Sequence, residues 1–143
     1  MTATTSDGVP PDFEPVFRTS PFLETVGPLY SKGRGAQLVL GLRVGEKHTN
    51  ARGLLHGGVL ATIADVALGY SLSTSTEPPT SMVTASLNLD FAGSATIGDW
   101  IETSVDIHKR GARLAFANAY FHVGVERIAR ASAVFLVVGG AKC

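Results

Sequence analysis

The sequence predicts an α+β fold in which an antiparallel sheet wraps around one long buried helix. Three observations carry that expectation. Residues 57–73 contain no proline and are apolar on nearly every side, with Val59, Leu60, Ile63, Val66, Ala67, Leu68 and Leu72 set among several alanines. A helix of that kind is buried, not surface-lying. Further along come segments in which apolar and polar residues alternate, the period of a half-buried strand. Between them stand glycine- and charge-rich turns short enough to join antiparallel neighbours.

The elements follow in order. Residues 1–12 are polar, carry Pro10 and Pro11, and read as a disordered head. That leaves 13–143 as a single domain, long enough to bury roughly two thirds of its surface. Phe13, Val16, Phe17, Phe22 and Leu23 suit short helical turns, with Pro21 as a helix start. From 36 to 44, Leu38, Leu40, Leu42 and Val44 alternate with Gln37, Gly41 and Arg43, which predicts a strand. A polar loop over 46–52 leads into the helix at 57–73, and Glu77-Pro78-Pro79 closes that region. Strands are then expected over 83–91, from 101 to 108, from 113 to 122 after a turn at Lys109-Arg110-Gly111, and over 128–138. The last is almost continuously apolar and belongs inside a sheet.

Composition narrows the function. Lysine plus arginine equals aspartate plus glutamate at 12 each, so no overall field draws nucleic acid or an anionic membrane, and an anionic ligand has to be gripped locally. The one cysteine is Cys143, which excludes an internal disulfide and fits a reducing compartment. The opening residues have neither a basic start nor an apolar stretch, and no apolar run approaches the roughly 20 residues of a membrane helix. The expectation is a cytoplasmic protein with no nucleic-acid or membrane partner.

The chemistry concentrates between Asn50 and Asp65. Gly57 and Gly58 open the helix, and two adjacent glycines let a ligand oxygen approach its first backbone N–H groups, an oxyanion site. The other reading is tight packing alone. Asp65 stands between Ala64 and Val66 in a helix almost free of ionisable groups, where desolvation makes a carboxylate reactive. The other reading is an aspartate satisfied by a neighbouring hydroxyl or amide. His48 and His56 have no compact set of cysteine or carboxylate ligands around them, so no metal is expected. No Gly-x-Ser-x-Gly elbow supports a serine nucleophile.

The spaced set Asn50-x-x-Gly53-x-x-His56-Gly57-Gly58 followed by Asp65 resembles the PaaI-like, phenylacetate-pathway branch of hotdog-fold acyl-CoA thioesterases. Residues 83–91 and 109–116 resemble that family's downstream strands, so the resemblance spans roughly 20–140. It implies a five- or six-stranded antiparallel sheet curled around the central helix, dimers with a continuous sheet and shared active sites, and assembly to a tetramer. Asp65 then matches the catalytic carboxylate, Gly57 the N–H that polarises the thioester carbonyl, and Asn50 and His56 the polar residues beside it. Thr84 is the hydroxyl that orients water, with Ser86 as fallback and Gly58 next to the substrate. Lys109, Arg110 and Arg113 around Gly111 are candidates for the CoA phosphates, which arginine grips bidentately; a solvated turn is the other reading. Lys32 and Arg34 form a second basic turn. CoA is part of the substrate, and no separate cofactor is expected.

Gly57 and Asp65 are eight residues apart, about 12 Å along one helix at 1.5 Å per residue. They can serve one thioester only from two antiparallel helices of a symmetric dimer. The expected reaction is hydrolysis of acyl-CoA to acid and CoA, with Asp65 as general base or as nucleophile through an anhydride. A non-catalytic acyl-CoA-binding domain of the same fold is the alternative, and a hydratase a weaker third. Leu54, Leu55, Val59, Tyr70 and Phe91 are the apolar candidates to line an acyl pocket.

Overall fold

A computed structural model describes residues 8–139; the first seven residues of the expected head, and Cys143, lie outside the described residues. From Gly8 the chain is held against the body. Val9 is buried, and the Gly8 carbonyl accepts a hydrogen bond from Arg43. The elements are β1 (Glu14–Pro15), α1 (Pro21–Val26), β2 (Tyr30–Lys32), β3 (Val39–Arg43), α2 (Gly57–Ser73), β4 (Ser81–Phe91), β5 (Trp100–Arg110), β6 (Leu114–Val123) and β7 (Glu126–Gly139).

The helix α2 occupies the predicted span. His56 caps its start, and at its end the Thr74 N–H closes onto the Tyr70 and Leu72 carbonyls. Its buried residues include Leu60, Ile63, Ala64, Ala67, Leu68, Ser71 and Leu72, a stripe at helical spacing. That stripe meets Leu38, Leu40, Leu42, Ile101, Phe121 and Phe135 in one core. Burying each such side chain contributes about 1.5–3 kcal/mol, so this contact holds the fold. The helix is central and buried along this stripe, as expected, but not all round. Thr62, Asp65, Gly69, Tyr70 and Ser73 remain partly exposed in the single chain, because the sheet covers only one side of α2.

All seven strands form one antiparallel sheet in the order β1-β2-β3-β5-β6-β7-β4. The two short strands β1 and β2 extend the five or six expected. The strand predicted from residue 36 begins at Val39, because Gly35–Gln37 form a 3-10 turn. Lys109 and Arg110 belong to the end of β5, not to the turn that follows. The long apolar strand β7 lies inside the sheet, between β6 and β4. On the outer face Trp100 lies across Gly41, where an added Cβ would come within 2.2 Å of its ring. Phe13 meets Trp100 edge-on at 5.1 Å.

Two features of β4 matter for the site. It is the terminal strand of the sheet, with β7 as its one strand partner among the described residues. It also has an irregularity between Thr84, opposite Phe135, and Ser86, opposite Val134. One extra residue in a strand turns the following side chains over, so Thr84 faces the helix while Ser86 faces away. No helix among the described residues is long and apolar enough to cross a membrane.

Candidate active site

The loop before α2 is built by its own polar side chains. Asn50 Oδ1 accepts from the N–H groups of Arg52 at 2.9 Å and Leu54 at 3.2 Å, which folds 50–54 into a tight turn. Gly53 completes it at a φ of 77°, a conformation that favours glycine. Beneath it, the buried His48 accepts from the Gly45 N–H on Nδ1 at 2.9 Å and therefore donates through Nε2 to the Val26 carbonyl. The polar residues Asn50 and His48 thus fix the approach of the chain to the helix.

At the helix start His56 Nδ1 accepts from the Gly58 N–H at 2.8 Å, and the His56 carbonyl accepts from Val59 N–H at 3.0 Å. Gly57 N–H has no acceptor among the described residues. The glycine pair also answers to packing. A Cβ on Gly57 would stand 3.2 Å from the Phe91 ring, and one on Gly58 3.0 Å from His56 Nδ1. Both readings of these glycines therefore have a geometric basis, and they coexist: close packing leaves one helix N–H open.

Two turns further on, Thr84 Oγ1 donates to Asp65 Oδ1 at 2.5 Å, a charge-assisted hydrogen bond. No described residue donates to Oδ2. Asp65 is only partly buried, which corrects the expectation of a carboxylate sealed in an apolar helix. It opens onto a groove of about 440 Å³ lined by Arg18, Val66, Gly69, Tyr70, Met82 and Phe135 among others. The Tyr70 hydroxyl donates to the Arg18 carbonyl at 3.0 Å. Burial pushes that hydroxyl above its ordinary value, with Arg18 pulling weakly the other way.

The structure brings Asp65 and Thr84 together, and separately Gly57, Gly58, His56 and Phe91. It does not bring Ser86 to Asp65, because the irregularity in β4 turns Ser86 outward beside Asn88, His108 and Asn118. Of the basic residues, Lys109 and Arg113 are exposed. Arg110 is tied to the Thr80 hydroxyl and the Gly111 carbonyl. Gly111 is needed where it stands, since a Cβ there would meet the Leu114 carbonyl at 2.6 Å. Lys32 pairs with Asp12 at 3.3 Å and lies over Phe13, while Arg34 lies over Phe17. Among the apolar candidates Tyr70 lines the groove, Phe91 covers Gly57, and Leu55 and Val59 pack into the core. Sequence reasoning missed Gly69, Met82, Phe135 and Arg18. Gly69 stands four residues after Asp65, a spacing that puts the two on one helix face and that could have flagged it.

The thioesterase superfamily profile matches residues 52–129. A Pseudomonas aeruginosa protein described as an esterase is 49% identical over 128 residues, which cover 89% of this chain and 96% of that one. Mouse acyl-coenzyme A thioesterase 13 is 37% identical over 82 residues, 57% of this chain and 58% of its own. The PaaI protein of the E. coli phenylacetic acid degradation operon superposes with a TM-score of 0.77 at 16% identity, over 85% of this chain and 87% of its own, a likeness of fold. With that fold, and with more than half of its length matched by the family profile, the chain belongs to the thioesterase superfamily as a hotdog-fold thioester hydrolase.

Proposed function

We propose that this protein hydrolyses acyl-CoA thioesters at a site shared between two protomers, with Asp65 of one chain and Gly57 N–H of the other acting on the same carbonyl. The observation that carries the reading is the Asp65 carboxylate, which accepts from Thr84 on Oδ1, has no donor on Oδ2 among the described residues, and lines a groove. In the general-base route Oδ2 takes a proton from water as the water oxygen attacks the thioester carbon. The tetrahedral oxyanion receives the Gly57 N–H, whose open donor suits an oxygen about 3 Å away. The C–S bond then breaks, and CoA leaves as a thiolate that takes up a proton. In the nucleophilic route Oδ2 attacks the same carbon, the C–S bond breaks and CoA leaves as a thiolate, and water then hydrolyses the resulting anhydride to the free acid and the Asp65 carboxylate.

The placement of β4 supports a shared site. Among the described residues no second strand pairs with the β4 edge from Met82 to Phe91, and such an edge is a template for a second copy. Antiparallel pairing of β4 with itself, centred near Ser86, sets the Phe91 end of one protomer beside the Ser81 end of the other. Gly57 packs on Phe91, so the pairing carries the partner subunit's Gly57 toward the Asp65–Thr84 end. On the outer sheet face, Leu114, Leu136 and Val83 stand in one cross-strand row at 41, 42 and 47% exposure. That row suits the meeting of two dimers in a tetramer. The exposed Lys109 and Arg113, around the turn shaped by Gly111, are left to meet the CoA phosphates.

Release of free thiol from acyl-CoA by the wild type and by Asp65→Asn tests the assignment. The near-isosteric variant is expected to keep its fold and lose at least about 100-fold in turnover, the scale of a lost general base. A folded Asp65→Asn protein with wild-type turnover overturns it.

A further inference from the structure

Residues 48–56 close on themselves before α2 begins. The His56 N–H donates to the His48 carbonyl at 2.8 Å, Thr49 and Leu55 face each other as an isolated antiparallel bridge, and the Asn50 N–H donates to the Leu54 carbonyl at 2.8 Å. His56 ends this loop and also caps the helix, so the direction of the next N–H, that of Gly57, follows from how the base of the loop is held. The tip does not hold it, because Ala51, Arg52 and Gly53 are exposed. Two buried anchors do: Leu55, whose N–H donates to the Ala95 carbonyl at 2.9 Å, and the His48 ring.

His48 is 3% exposed and so does not meet the substrate, yet both ring nitrogens are engaged. Nδ1 accepts from the Gly45 N–H at 2.9 Å, and the His48 N–H returns the contact by donating to the Gly45 carbonyl at 3.0 Å. Both bonds lie within one 3-10 turn. Nε2 donates to the Val26 carbonyl at the end of α1, 22 residues away in sequence. Of the ring's two bonds, only this one ties the loop to another element. Buried bonds of this kind are strengthened by the low local dielectric and fix orientation. We propose that His48 is a positioning residue for the hydrolysis: through its Nε2 bond to Val26 it sets the direction of the Gly57 N–H toward the oxyanion. The inference rests on the role of Gly57 given above. An oxyanion donor acts on the transition state more than on the bound ester, so a misdirected N–H lowers kcat and spares KM.

The test measures kcat and KM for octanoyl- and phenylacetyl-CoA with two variants that each keep one half of the ring's bonding. In His48→Asn the amide oxygen stands near the place of Nδ1 and keeps the Gly45 bond alone. In His48→Gln the amide nitrogen reaches the place of Nε2 and keeps the Val26 bond alone. For His48→Asn, kcat should fall about tenfold or more with KM changed less than about twofold, a partial form of the roughly 100- to 1000-fold loss on removing an oxyanion donor outright. His48→Gln should stay within about threefold of wild type in both constants. Each variant loses one buried hydrogen bond, so a merely structural histidine would leave the two equally slow per folded molecule. That outcome overturns the proposal, as does a loss carried by KM or a folded His48→Asn with wild-type kcat. If His48→Asn does not fold, His48→Leu, which fills the ring's place and drops both bonds, is read by the same criteria. Failure of the underlying reading appears separately, as no thiol release by the wild type or as a folded Gly57→Pro with wild-type turnover.

Discussion

Arg110, at the end of β5, and Arg113, three residues further on, stand in different surroundings. The Arg110 guanidinium is tied to the Thr80 hydroxyl and the Gly111 carbonyl and so joins the end of β5 to the start of β4. Arg113 is exposed. Arg113→Ala should therefore raise KM for acyl-CoA with little change in kcat, because contacts to the nucleotide end are equal in ground and transition states. The effect should vanish with acyl-pantetheine, which lacks the nucleotide; an equal loss on both substrates removes Arg113 from phosphate binding. Arg110→Ala should instead lower the melting temperature, and an unchanged melting curve would show that the tie to Thr80 is idle. Asp65 and the His56-Gly57-Gly58 run were legible as residues, since an acid in an apolar helix and a glycine pair at its start are local patterns. The partner of Asp65 was legible only as a hydroxyl on the next strand. Choosing Thr84 over Ser86 depends on an irregularity in β4, which no alternation rule reveals.

Among the elements, the outer face of the sheet depends on one glycine in β3. A Cβ at Gly41 would come within 2.2 Å of the Trp100 ring, which is itself held by Phe13 and by a hydrogen bond from its Nε1 to Glu102 at 3.0 Å. Gly41→Ala is expected to lose about 1–3 kcal/mol, the cost of overpacking where neighbours cannot yield, read from denaturant midpoints. Activity per folded molecule should be unchanged, because the Asp65 groove lies on the other side of the sheet; a variant as stable as wild type would mean that Trp100 moves freely. The helix was legible as a long apolar run without proline, β4 and β5 through their alternation, and β7 as a nearly continuous apolar stretch. The strand Tyr30–Lys32 was not, being three residues long with no room for alternation. Nor was the contribution of Arg18, Thr19 and Ser20 to the groove, which arises from folding 45 or more residues of intervening chain.

For the whole molecule, the proposal of a shared site makes the protomer incomplete, and that is open to a complementation test. Gly57→Pro removes the backbone N–H, and its fold is checked first because the turn is also altered. Mixed with Asp65→Asn under subunit exchange, it should yield heterodimers in which one of two sites has both halves intact. Activity absent from each parent should then partly return. If mass measurements establish exchange and the mixture stays as inactive as its parents, the two groups do not meet across an interface. The proposal of a second chain rests on the spacing of Gly57 and Asp65 along one helix, whereas the register of two such chains would be a property of the pair and is written in neither helix alone.

The order of strands also has a bearing on how the chain is made. The strand β4 precedes β5, β6 and β7 in sequence, yet among the described residues its only neighbour in the sheet is β7. During synthesis from the N-terminus, β4 therefore has to wait for β7 to leave the ribosome before its ladder of hydrogen bonds can close, whereas the apolar face of α2 also meets β3, β5 and β6, which emerge earlier. Translation at roughly 5–20 residues per second makes that interval a matter of seconds, in which the same edge that later suits a second copy is exposed on an unfinished chain.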